Sequence, residues 1–267
     1  METTGAVRDV TRSGTGEFGQ VSIAWAVVSD VGLMREANED AVLVAPGMFL
    51  VADGMGGHDR GELASEAALT ALSATAISGI NRTRDSVVEM LSEAQRQIER
   101  IDTESARHAG TTITGAMLAD NDGVPHWLVL NIGDSRTYRF SAGRLEQVTV
   151  DHSQVQELVD AGYLTIEQAR VDPRRNVITR ALGAGMEQEA DFFTFQVAVG
   201  DRILVCTDGL TGELSDGVIA QILADHPDPT QAATTLVAAA LESGGRDNVT
   251  VAIADVMAIP ELVEPVR

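Results

Sequence analysis

The sequence predicts an α+β layered domain, with strands gathered into sheets and helices paired beside them. Three observations carry this expectation. Apolar runs of strand length follow one another across turn residues, without alternating with helices. Two separate stretches show helical spacing, and each holds two consecutive helices. Four aspartates, Asp53, Asp134, Asp208 and Asp247, recur where an apolar run meets a glycine-rich turn or a polar corner. At 267 residues, 44% of them hydrophobic, the chain can bury a sizeable core. No internal repeat or low-complexity tract divides it, so one domain is expected.

In chain order, residues 1–19 are rich in Thr, Gly and Ser without a period and read as a flexible arm before a domain over 20–257. Val21 to Val28 reads as a strand, followed by turn-like Ser29–Asp30, the charged stretch Arg35 to Asp40, and apolar runs at Ala41–Ala45 and Met48–Ala52. From about Glu62 the spacing becomes helical: Leu63, Ala67, Leu69, Leu72 and Ile77, then Val87, Val88, Leu91, Ile98 and Ile101, with Asn81 separating the two helices. Strands return at Ile113–Ala119 and Trp127–Ile132, and the Asp120–Asn121–Asp122–Gly123 tetrad between them has hairpin-turn chemistry. Tyr138–Phe140 and Leu145–Val148 continue the strands. Residues 152–185 read as a mobile, short-helix flap before the strand Phe192–Val199. Strand Arg202–Thr207, a second helical hairpin (Asp216–Ala224 and Thr230–Glu242) and strand Val249–Ala254 follow, and 258–267 reads as a disordered tail.

Charge and cysteine content narrow the function. The 19 basic residues against 40 acidic ones give −21, which opposes nucleic acid or an anionic membrane as partner. Every basic residue is arginine, so no step can use a lysine amine. The single cysteine, Cys206, excludes an internal disulfide and fits a reducing compartment. It lies among Ile203, Leu204 and Val205 and reads as a buried structural thiol. A cysteine phosphatase would need an arginine six positions on, where Gly212 stands. No apolar stretch reaches the ~18 residues that span a bilayer, and the N-terminus shows no apolar core of a signal peptide. A monomeric, cytoplasmic protein is expected.

Uncompensated acids packed together repel and would have to take up protons. A hard divalent cation removes that cost through oxygen ligands. The strand-end aspartates therefore read as a multi-carboxylate metal site. The five histidines are scattered and show no zinc spacing.

Six stretches occur in one order: Arg35-Glu-Ala-Asn-Glu-Asp40, Val51-Ala-Asp-Gly-Met-Gly-Gly-His58, Gly110-Thr-Thr112, Gly133-Asp-Ser-Arg136, Thr207-Asp-Gly-Leu210 and Arg246-Asp-Asn-Val-Thr250. Together they resemble the metal-dependent serine/threonine protein phosphatases, or type 2C phosphatases, across Val21 to Val256, and the Met-Gly-Gly-His version resembles the bacterial branch. The resemblance implies two packed antiparallel sheets flanked by helical hairpins, an αββα sandwich, with two Mn²⁺ or Mg²⁺ ions in a cleft at one edge. It implies that Asp53 bridges both ions, that Asp208 and Asp247 complete the first, and that Glu39 and the Gly54 carbonyl complete the second. Asp40 backs these ligands through water, and Asn248 stands beside Asp247. The resemblance further implies that Asp134, with Asn176 from the flap, holds a third, weaker ion. The substrates implied are phosphorylated proteins made by a serine/threonine kinase.

Two ions sharing a water lower its pKa and clamp the attacking oxygen and phosphoryl group for direct displacement, with no phosphoenzyme. Arg35 is the candidate phosphate clamp, because a guanidinium fork donates paired hydrogen bonds to phosphate oxygens. Arg136 keeps two readings, bracing Asp134 or lying on the surface. Many eukaryotic members carry a histidine, proposed as general acid, where Met55 stands, so that role has no counterpart at this position; His58 reads as support for its loop. Two other readings are weaker. Asp120-Asn-Asp-Gly-Val124 resembles the nucleophile motif of haloacid-dehalogenase-type phosphatases, but those need a basic residue, usually lysine, and alternating α/β elements. A binding module that has lost its metals would lack a bridging carboxylate, and Asp53, Asp208 and Asp247 are all present.

Overall fold

In the computed structural model, residues 5–56, 59–74, 82–101 and 108–259 are described. His58, Ile77, Asn81 and 260–267, for which the sequence raised expectations, lie outside them. The strands are β1 (Thr11–Phe18), β2 (Val21–Asp30), β3 (Asp40–Ala45), β4 (Met48–Met55), β5 (Gly110–Thr111), β6 (Ile113–Asn121), β7 (Val124–Ile132), β8 (Arg136–Ser141), β9 (Arg144–Gln147), β10 (Leu182–Gly183), β11 (Asp191–Gln196), β12 (Arg202–Cys206) and β13 (Val249–Ala258). The helices are α1 (Asp59–Ala74), α2 (Arg84–Ile101), α3 (Gln154–Asp160), α4 (Ile166–Val171), α5 (Asp208–Thr211), α6 (Asp216–Asp225) and α7 (Pro229–Glu242).

Two antiparallel sheets result. One has the order β1-β2-β13-β12-β8-β9, and the other runs β10-β5-β4-β6-β7-β11 with β3 beside β4. Strand alternation builds three packed layers between and outside them. In β4, Phe49 and Val51 point into the space between the sheets, against Trp127 and Ile203. Met48, Leu50 and Ala52 of the same strand point the other way, onto Leu69 and Leu72 of α1 and Val87 and Ile98 of α2. In β13, Ala252, Ala254 and Val256 face the inter-sheet core, while Val251 and Ile253 meet Leu236 and Val237 of α7. A strand buried on both faces has no polar side to show. That is why these strands read as unbroken apolar runs although their pairing is antiparallel.

The expected αββα sandwich is therefore the observed architecture. The hairpin at Asp120–Gly123 is also present: Asn121 pairs with Val124, and the two turn residues Asp122 and Gly123 have φ of 54° and 83°. This is the doubly left-handed turn that suits strand twist.

Two expectations are corrected. Residues 11–18 are not a flexible arm: they form the edge strand β1, in register with β2 from Thr11↔Val28 to Phe18↔Val21. Its Thr, Ser and Gly side chains hide the strand, because an edge strand is held by backbone hydrogen bonds and needs little apolar surface. Phe18 is its one buried anchor. Asp53 does not end its strand either, since β4 continues through Met55 by pairing with Gly110 and Thr111.

Candidate metal centre

The β3–β4 hairpin builds the first part of the cleft. Its register sets Asp40 opposite Asp53, and directly opposed residues share a face of the sheet. The backbone of Asp53 is then fixed from β5 and its neighbour. Its N–H donates to Thr112 Oγ1 at 3.1 Å, and its carbonyl accepts from Thr112 N–H and Thr111 Oγ1, each at 2.9 Å. Gly54 follows where no other residue fits. A Cβ there would sit 2.1 Å from the Gly61 carbonyl oxygen and 2.7 Å from that of Glu39. The missing side chain lets Glu39 approach, and Gly54 N–H donates to the Glu39 carbonyl at 3.2 Å.

The second sheet supplies the other wall. Asp208 begins α5 directly after β12, and Asp247 immediately precedes β13. Thr207 ties the sheets together. Its Oγ1 donates to Asp40 Oδ2 at 2.8 Å and accepts Thr250 N–H at 3.0 Å. Asn248 holds the entry loop: its Nδ2 donates to the carbonyls of Val31 and Ala37, and its Oδ1 accepts Glu39 N–H at 2.8 Å. One buried amide thus locates both the Arg35 loop and Glu39 relative to Asp247.

Asp134 follows β7 through Gly133, whose φ of 108° places it in the region that favours glycine. His152 grips this turn twice. Its backbone N–H donates to the Gly133 carbonyl at 2.9 Å, and its Nδ1 accepts Gly133 N–H at 3.1 Å. An accepting Nδ1 puts the ring proton on Nε2, which faces Asp191 Oδ2 at 3.1 Å. Nothing in the sequence marks His152 beyond its place at the start of the flap; only the tertiary contact reveals its support of the Asp134 turn.

Glu39, Asp53, Gly54, Asp134, Asn176, Asp208 and Asp247 line one cleft of about 310 Å³, together with Arg35, Met55 and Thr112. Asp40 lies buried behind Asp53. The ten residues that the sequence singled out for the site are thus gathered at one end of the sandwich, in the cleft or directly behind it. Arg136 is not a surface residue, and its charge acts on Asp134 by lowering that carboxyl's pKa. It is locked to Asp151 by hydrogen bonds from Nε and Nη2, and its Nη1 donates to Tyr138. Arg246 turns away and pairs with Glu213.

The electrostatics record the crowding. Removal from water, followed by repulsion from Asp40, Asp208, Asp134 and Asp247, raises the Asp53 pKa well above the usual carboxylate range. Burial and the charge of Asp208 do the same to Asp134. Asp40 is pushed up to about 7, chiefly by burial and against the hydrogen bonds of Thr207 and Thr250. Asp208 rises to about 6 through burial and Asp247. The cation in direct contact with this set is Arg35, which donates from Nη2 to Asp247 Oδ2 at 2.7 Å. That carboxylate bond, more than any other factor, raises the arginine's own pKa.

These residues ring the cleft without closing on a point: among the described residues, no three His, Cys, Asp or Glu side chains stand close enough to hold an ion as they are. The donor set nevertheless fits hard divalent cations. It is made of oxygen alone, it carries excess negative charge, and nothing in it favours zinc.

Known proteins share this sequence pattern and this fold. A family profile described as Protein phosphatase 2C matches residues 35–225. The serine/threonine protein phosphatase PstP of Mycobacterium tuberculosis is 37% identical over 247 residues, covering 88% of this chain. The chain spans only 45% of that relative's length. Protein phosphatase PhpP of Streptococcus pneumoniae is 35% identical over 238 residues, covering 85% of this chain and 95% of PhpP. A crystal structure of the catalytic domain of PstP in complex with two manganese ions superposes with a TM-score of 0.76 at 35% identity, covering 88% of this chain and 99% of that one. With motifs, fold and cleft in agreement, the chain belongs to the protein phosphatase 2C family.

Proposed function

We propose that this chain is a metal-dependent serine/threonine protein phosphatase that hydrolyses phosphoserine and phosphothreonine directly, without a phosphoenzyme. The observation that carries this reading is the carboxylate cleft, assembled from both sheets and faced by one arginine. Asp53, Asp208 and Asp247 are suited to hold one ion. Asp53, Glu39 and the Gly54 carbonyl are suited to a second, and Asp134 with Asn176 to a third. When bound, Mn²⁺ or Mg²⁺ would supply Lewis-acid charge and lower the pKa of water.

The chain's own residues do the rest. Thr111 and Thr112 fix the backbone of Asp53, and Thr207 holds the carboxylate of Asp40 behind it, so this part of the site is positioned before any ion arrives. Asp40, kept behind Asp53, adds negative charge to the site. Arg35 is half exposed at the cleft mouth and can exchange its contact with Asp247 for phosphate oxygens. Met55 lines the cleft and offers no proton to the leaving alcohol. Among the described residues no helix is long and apolar enough to cross a membrane. The partners we infer are phosphoproteins made by serine/threonine kinases, met by a cytoplasmic monomer.

The test is hydrolysis of a phosphothreonine peptide with Mn²⁺, with chelator, and with Asp53→Ala. Activity is expected only for the wild type with metal. Undiminished turnover in excess chelator, or by the Asp53 variant, would remove the assignment.

A further inference from the structure

A second groove opens from the carboxylate cleft. It has a free volume of about 240 Å³ and shares Asp134, Asn176 and Asp208 with the cleft. Helices α3 and α4 line it with the aliphatic Val155, Val159, Ile166 and Ala169, with Gln156 and Arg170 among them, and Thr211 and Gly212 of the α5 region line it too. The acids on its floor are already engaged. Asp151 is taken by Arg136, and Asp216 approaches both Arg136 and the Tyr138 hydroxyl. Asp134 and Asp208 belong to the proposed metal set.

Helix α4 is unusual in having no buried residue. It is held by its ends instead: Thr165 and Gln168 form a capping box, and Arg170 donates to the Leu214 carbonyl at 2.9 Å. Ile166 stays 67% exposed at the groove. Of the adjacent arginines, Arg174 is spent on Asp172 through Nε and Nη2. Only Arg175 of that pair lines the groove. The groove beside the reaction site thus holds an aliphatic patch set among charged and amide side chains.

We propose that this groove is a specificity subsite that takes an aliphatic side chain next to the phosphorylated residue of a protein substrate. The proposal rests on the phosphatase reading above. What commits it to the substrate chain is continuity: a phosphate held over Asp53 and Arg35 places the following or preceding residues within reach of Ile166 and Val159, because the two spaces share a wall. An aliphatic side chain there covers Ile166, Val159 and Ala169, and desolvates no unpaired acid.

The experiment uses the Mn²⁺-loaded protein and two phosphothreonine peptides, one with leucine flanking the phosphorylated residue on both sides and one with glycine and serine there. The wild type should favour the leucine peptide by about tenfold or more in kcat/KM, as expected for filling an apolar pocket. Ile166→Asp puts a charge on an exposed position that needs no refolding, and Ala169→Trp fills the groove. Each should reduce the preference to about twofold or less, while p-nitrophenyl phosphate, which needs no subsite, stays within about twofold of wild type. No preference in the wild type, or an undiminished preference in both variants, overturns the subsite. Failure of the wild type to hydrolyse p-nitrophenyl phosphate or either peptide would instead overturn the phosphatase reading.

Discussion

Strands β12 and β13 carry charged groups at both ends, and the two ends treat them in opposite ways. At the far end Arg202, 6% exposed, meets Asp255 through two hydrogen bonds of 2.7 Å. The same guanidinium donates to the carbonyls of Leu223, His226 and Pro227, which pins the α6–α7 turn to the sheet. Asp201 beside it is paired with Arg139. At the near end Asp208 and Asp247 join Asp53, Asp134 and Glu39, and Arg35 is bonded to Asp247. The same kind of charge is neutralised within the chain at one end and left in excess at the other. The first arrangement supports the fold. The second costs stability in the free protein and is explained by a cation that the chain does not itself supply.

The largest effect is expected at Asp53. Asp53→Ala should lower kcat/KM for a phosphopeptide by about 10³–10⁴-fold, the several kcal/mol that metal charge contributes. The melting temperature in chelator should rise, because a repelling carboxylate is gone. The stabilisation by Mn²⁺ seen in the wild type should largely vanish. A thermal melt with and without metal checks both. A fall in chelator stability would mean that Asp53 is a structural partner rather than a surplus charge.

The far end should respond in the opposite way. Asp255→Ala leaves Arg202 buried without its carboxylate, and a destabilisation of about 3–5 kcal/mol is expected from denaturant unfolding. The activity of the protein that remains folded should be unchanged. A loss below about 1 kcal/mol would show that the three backbone carbonyls alone satisfy the guanidinium.

Arg35 sharpens the contrast, because it belongs to the surplus end yet has a carboxylate partner. Arg35→Ala should lower kcat/KM by about 2–3 kcal/mol equivalent if the fork serves phosphate. Metal affinity should stay constant or tighten, since a competing cation leaves Asp247. Weaker Mn²⁺ binding with intact kcat/KM would make Arg35 a brace for the acidic loop.

The smallest effect is expected at Cys206, between the two ends. Its thiol is fully buried and pushed up to about 12, chiefly by removal from water. Alkylating reagents at neutral pH should leave the native protein unmodified and its activity unchanged, as mass spectrometry can show. Rapid labelling would mean that the near end opens far more often than its packing suggests.

Much of this was readable in the chain itself. Apolar runs of strand length and two helical hairpins determined the layered class, because burial on both faces leaves a mark in composition. Asp134, Asp208 and Asp247 declared themselves at strand ends, where carboxylates have no packing duty, and Asp53 declared itself by the glycine that follows it, although its strand runs on to Met55. Edge strand β1 did not, because its backbone pairing needs no particular side chains. Tertiary structure alone decided the rest. Register made Asp40 the neighbour of Asp53. Asn248 reached back more than two hundred residues to hold Glu39, and His152 became the support of the Gly133 turn. The aliphatic groove arose where α3 and α4 face α5. Local patterns follow from local propensity and burial, whereas a contact between distant segments depends on how whole sheets pack, and no short stretch of sequence carries that information.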